Sequence, residues 1–155
     1  MYNLDNIDIK ILQVLQKDVR LPLTQLSEQI GVPHATVRDR IRKMEAAGVI
    51  KSYVAIIDPT KLGHLMNCLV QVTLDQRVEN SLVMEAFLQI DEVTEIQLLT
   101  GDVDVFVRIW ARDVEHMRHI LYDKFTSIPG VLRTNTIIVL DTFTKPLPLL
   151  EKGQA

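Results

Sequence analysis

The sequence predicts an α+β protein in two parts: three short helices joined by tight turns, then a β-α-β-β-α-β unit of ferredoxin-like arrangement. Three observations carry this reading. Apolar residues recur at helical spacing through the first 47 residues. From residue 68 onward, β-branched runs alternate with two further helical stretches. Charge divides between the halves as well. Residues 1–62 hold 9 Lys and Arg against 7 Asp and Glu, whereas residues 63–155 hold 8 against 13, in a chain of net charge −3. Such asymmetry suggests two units with different partners.

Each element follows in order. In "DNIDIKILQVLQKD", residues 5–18, Ile7, Ile11, Leu12 and Leu15 fall on one helical face, and Asp5 suits the N-cap. "RLPLT" breaks that pattern. "LTQLSEQI", residues 23–30, is a second short helix with Leu23, Leu26 and Ile30 inward, ended by Gly31. A third runs from about Pro33 to Ala47 on a Val37, Ile41 and Met44 stripe and stops at Gly48. "VIKSYVAIID", residues 49–58, reads as a strand, and "PTKLG" punctuates the boundary after it. In the second half, 68–74 is a strand and 79–90 a helix. Residues 93–100 and 103–111 form a hairpin around Gly101-Asp102. Residues 113–128 form a helix and 131–143 a last strand. The tail "KPLPLLEKGQA" is broken by prolines and receives no fixed structure.

Composition limits the function classes. The chain is 47% hydrophobic and 24% charged, a globular balance. Its apolar runs are too short to span a membrane, and no cationic-then-apolar leader opens it, so a cytoplasmic location is the default expectation. Cys68 is the only cysteine, which excludes an internal disulfide and a Cys-based zinc site. Its apolar neighbours suggest a buried residue. His116 and His119 have metal-compatible spacing but no evident third ligand, and no cofactor motif is visible.

The third helix concentrates the cations. At 100° per residue its apolar stripe spans about 60°. The opposite side presents Ala35, Thr36, Asp39, Arg42 and Lys43, with Arg38 at its edge. A solvated amphipathic face is one reading. The other is a DNA-reading helix, because a tight helical turn precedes it, completing a helix-turn-helix, and both chemical needs are met. Cations suit phosphates, and short polar side chains suit base edges. On that reading Thr36, Arg38 and Asp39 reach bases, while Arg42, Lys43 and His34 hold phosphates. Arg40 borders the apolar stripe, so a structural ion pair competes with a DNA contact there.

The run from Leu4 to Gly63, "LDNIDIKILQVLQKDVRLPLTQLSEQIGVPHATVRDRIRKMEAAGVIKSYVAIIDPTKLG", resembles the Lrp/AsnC family of feast/famine transcription regulators. "TGDVDVFVRI" and "IPGVLRTNTIIVL" extend the resemblance over nearly the whole chain. It implies a winged helix-turn-helix domain at residues 1–62, with a linker strand at about 49–62. A ferredoxin-like (RAM-type) sensing domain follows at 63–145, and a tail at 146–155. It further implies double-stranded DNA as partner and a homodimer that assembles further, as a tetramer or octamer of dimers. An amino-acid effector is implied near Gly101–Asp104, where subunits meet. The sequence departs from the family at Pro22 and Pro33, where a helix-capping Ser is frequent. Pro suits a first helical position, and His34 stands ready to replace the missing hydroxyl.

Two features of the second half support self-association and sensing. Val103, Val105, Val107 and Ile109 face one way, and Phe106, Arg108 and Trp110 the other. Helices cover only one sheet face in this arrangement, so an uncovered Phe and Trp suggest a partner surface. "TGDVD", residues 100–104, offers backbone amides for a carboxylate at Thr100 and Gly101, and Asp102 or Asp104 for an ammonium, with Thr134 and Thr136 as further hydroxyls. An ordinary hairpin turn explains the same residues. A ligand-independent architectural DNA protein and a small ferredoxin-like enzyme remain as rival readings. No catalytic triad or phosphate loop supports the enzyme.

Overall fold

The computed structural model describes residues 2–149, in two compact units: residues 2–56 with 144–149, and residues 57–143. In the first unit, α1 spans Asn6–Leu15, α2 Leu23–Ile30 and α3 His34–Ala46. Asp5 starts α1 as expected. Its carboxylate accepts from the Ile7 and Asp8 amides, and Asp8 returns a bond to the Asp5 amide at 3.0 Å. This is a capping box with Asp in the usual Glu place. Gly31 ends α2 at φ 69°, the left-handed turn that aims α3. Ile11, Leu26, Val37 and Met44 form the fully buried centre, so the stripe expected on α3 does dock inward, with Ile41 packed at its edge.

Three sequence expectations need correction in this unit. Residues 51–58 form no strand and are all exposed, Ile56 at 96%. The β-branched pattern is there, but among the described residues no strand pairs with it to make a ladder. Pro22 and Pro33 sit at N-cap positions rather than first helical positions, and neither helix receives a side-chain cap. The tail is not left free: residues 144–149 belong to this first unit. Residues 150–155 of the expected tail lie outside the described residues.

The second unit carries β1 (Met66–Leu74), α4 (Asn80–Leu88), β2 (Val93–Leu98), β3 (Val105–Ala111), α5 (Val114–His119) and β4 (Val131–Ile138). Its antiparallel sheet has the order β2-β3-β1-β4, the ferredoxin-like topology. Val70 pairs with Val107 and Val72 with Val105. These side chains are fully buried on one face beneath Val83 and Phe87 of α4 and the Ile120 and Phe125 segment. Phe87 and Phe125 meet edge to face, 4.8 Å between centroids.

The long helix expected over 113–128 changes character midway. After α5 the chain makes a π-helical turn over Ile120–Phe125. Residues five apart sit about 140° apart on an α-helix, too far to face one core together. The wider i→i+5 turn brings Ile120 and Phe125 onto one side, and both are fully buried. Glu92 braces this turn by accepting from Lys124 Nζ at 2.7 Å and pairing with His116 Nε2 at 2.9 Å. Burial pushes the Glu92 carboxyl up, but these bonds outweigh it and hold the group below its ordinary value.

No helix packs on the other sheet face within residues 57–143. Phe106 and Trp110 lie there half-buried among polar neighbours of their own sheet. Arg108 bonds Glu95 and Asn67, and Asn135 donates to Gln71 at 2.6 Å.

Candidate nucleic-acid interface

Helix α3 presents two chemically different sides. Val37 and Met44 are fully buried, whereas Ala35, Thr36, Arg38, Asp39, Arg42 and Lys43 are exposed. His34 is half-buried at the first turn. The candidate reading residues therefore share one solvent-facing surface. Within it, Lys43 Nζ lies 2.8 Å from the Asp39 carboxylate, an i,i+4 pair with both side chains exposed, which raises the Lys43 pKa. Asp39 is thus occupied before any nucleic acid arrives, and its proposed base contact requires that pair to open.

Arg40 resolves as the structural alternative. Its guanidinium bonds both Asp5 and Asp8 of the α1 capping box. Asp8 is 1% exposed, and Tyr2 Oη donates to it at 3.3 Å. The Asp8 amide and the Arg40 guanidinium hold the Asp5 carboxyl below its ordinary value, and Arg40 is raised in turn. This clamp fixes the roll of α3 about its axis, and so which side chains face outward. Sequence reading missed Tyr2, Asp5 and Asp8 as positioning groups. The signal was available: two acids three apart on the first turn of α1, and one Arg bordering an apolar stripe.

The 100–104 turn is less uniform than its sequence suggested. Thr100, Gly101 and Asp102 are exposed, and Gly101 has φ 140°, a conformation that favours glycine. Asp104 is already engaged: it accepts from the Leu74 amide at 2.8 Å and from Gln76 at 3.1 Å, stitching the end of β1 to the start of β3. Thr134 and Thr136 sit on β4, with β1 between them and β3, because Val72 pairs with both Thr134 and Val105. Two interstrand spacings, about 9.6 Å, separate the hydroxyl strand from the turn's strand. The structure therefore clusters Thr100, Gly101 and Asp102 but does not bring the threonines beside them. His116 and His119 each take their own carboxylate, Glu92 and Asp123, and share no ligand.

Both units have matches among known proteins. Residues 4–51 match the winged helix-turn-helix DNA-binding model, and residues 67–148 match the Lrp/AsnC ligand binding domain. The chain belongs to the Lrp/AsnC family. It is 39% identical over 148 residues to the HTH-type transcriptional regulator FL11 of Pyrococcus horikoshii, covering 94% of this chain and 97% of that one. It is 32% identical to the regulatory protein AsnC of Haemophilus influenzae, over 89% and 92% of the two chains. Among solved structures it superposes on a Neisseria meningitidis transcriptional regulator in complex with L-methionine, with TM-score 0.88, 28% identity and 95% and 97% coverage. A feast or famine regulatory protein of M. tuberculosis complexed with L-methionine matches with TM-score 0.85, 27% identity and 92% and 96% coverage. This Lrp/AsnC chain is accordingly a DNA-binding transcription regulator. Its relatives point away from the enzyme reading, and the purely architectural reading is not favoured. Among the described residues, no helix is long and apolar enough to cross a membrane.

Proposed function

We propose that α3 is the recognition helix of this Lrp/AsnC regulator, with Thr36, Arg38 and Asp39 at base edges and Arg42, Lys43 and His34 on phosphates. The observation that carries this is the exposed Arg38, Arg42 and Lys43 set on a helix whose opposite side is locked inward. The uncapped start of α3 adds backbone amides without a side-chain partner, which suit a phosphate. The second unit assembles the chain into a homodimer and further oligomers, so that two reading helices meet two half-sites. An amino acid bound at Thr100, Gly101 and Asp102, where subunits meet, modulates that assembly. Asp104 serves chiefly as its support, and Thr134 and Thr136 contribute from a neighbouring subunit. The L-methionine carried by two structural relatives makes methionine the first effector to test.

The experiment is binding of a selected DNA site at several salt concentrations. Arg42→Ala and Lys43→Ala are expected to weaken all sequences and flatten the log–log salt slope by about 0.9 each, one phosphate apiece. Thr36→Ala or Arg38→Ala is expected to alter which bases are preferred, by about 1–3 kcal/mol per pair. Indistinguishable effects of the two sets on slope and preference would refute the assignment.

A further inference from the structure

The C-terminal segment has a seat on the DNA-binding unit. Its sequence, "TKPLPL" over residues 144–149, alternates Pro and Leu. Proline removes the amide donors of 146 and 148 and restricts φ, which keeps the segment extended and lowers the entropy lost on docking. With two of its amides gone, the segment offers mostly carbonyls for hydrogen bonding. Helix α1 takes up two of them. Gln13 Nε2 donates to the Leu149 carbonyl at 2.9 Å, and Gln16 Nε2 donates to the Leu147 carbonyl at 3.3 Å. The two glutamines are three apart, hence on one helix face. The two carbonyls are two apart, hence on one side of an extended chain.

The apolar side is matched too. A cleft of about 650 Å³ runs between α1 and residues 49–54, lined by Leu12, Leu15, Val49 and Tyr53, and Leu147 and Leu149 form part of its wall. Arg38, Arg42 and Lys43 are not among its lining residues. The residues on its far side, 49–54, are the ones through which α3 continues toward the second unit.

We propose that the glutamine face at the end of α1, on the rim of this cleft, is the docking seat for the chain's own Pro-Leu segment, which ties the reading unit back to the end of β4. Only residues 139–143 separate β4 from the segment. The effector domain thus reaches the reading unit by two covalent routes, 51–58 and this strap. Given the function proposed above, strain at the effector-binding sheet is passed through the strap to the end of α1 and residues 49–54, not to the DNA-facing side chains.

Docking is tested without DNA or effector, so its failure is separable from failure of the proposed function. In the full chain, Gln13→Cys with Leu149→Cys is treated with a short bismaleimide; the native Cys68 is fully buried. An intrachain cross-link, absent from each single-cysteine variant, is expected. A cross-link between chains would show the segment to be exchanged between copies, and no cross-link would show it undocked; either overturns the proposal. In a second variant, Leu147→Asp with Leu149→Asp, cleavage by a protease within 49–54 is expected to be at least ~5-fold faster, because an unstrapped segment opens more often. Unchanged cleavage overturns the docking. The same variant is expected to keep DNA affinity within about twofold while the change in affinity caused by L-methionine shrinks toward none. Full retention of that change overturns the relay.

Discussion

The two units of this chain hold themselves together differently. The second has a continuous core drawn from β1, β3, α4 and the π-turn, with an aromatic pair at its centre. The first rests on Ile11, Leu26, Val37 and Met44 from three short helices, and a unit of about 60 residues buries too little apolar surface to be more than marginal alone. It compensates with polar fastenings: the Asp5–Asp8–Arg40 clamp and the two glutamine bonds to the tail. The sensing unit is a self-sufficient block, whereas the reading unit is fastened at its edges, where regulation can act.

The comparison breaks most plainly at the aromatic pair. Phe87→Ala is expected to cost about 3–5 kcal/mol, all within the second unit. Urea unfolding followed separately in each unit would then show only one transition moving. Coincident shifts in both would mean that the units do not unfold independently.

Next is Arg40→Met, which strands the buried Asp8 carboxylate and is expected to cost about 2–3 kcal/mol in the first unit alone. The pH dependence follows from Asp5. Its folded pKa lies below the ordinary 3.8, so its stabilisation is complete above that value and lost as pH falls through the folded value. Acid titration should loosen α1 and α3 first, and Arg40→Met should blunt that slope. An acid slope as steep in the variant as in the parent would remove the clamp from the account.

A smaller effect separates support from sensing at the hairpin. Asp104→Ala leaves the Leu74 amide without its acceptor and is expected to cost about 1–2 kcal/mol. Asp102→Asn, on an exposed side chain, is expected to stay within about 0.5 kcal/mol while weakening the thermal shift that the proposed L-methionine binding should produce. If instead Asp102→Asn destabilises as much as Asp104→Ala, the two aspartates share one structural role. The smallest expected change is Tyr53→Phe. Its hydroxyl donates to Glu45 at 2.8 Å, and burial with that bond pushes its pKa up to about 12, yet both groups are exposed. A melting-temperature shift equivalent to less than about 0.5 kcal/mol should result.

Sequence alone determined what repeats locally. The stripe of Val37 and Met44, the Asp5 cap, the Gly31 turn, the strand alternation of β1 and β3 and the cationic side of α3 are all set by spacing along a helix or strand, and spacing is written in the chain. Tertiary structure decided what depends on which partner arrives. Residues 49–58 have a strand's pattern but found no ladder. Asp104 met the end of β1, and Arg40 was drawn to α1. A tail that looked unstructured found two glutamines. Side chains with charge or amide groups can satisfy themselves in several directions at similar cost, so only the folded arrangement selects among them.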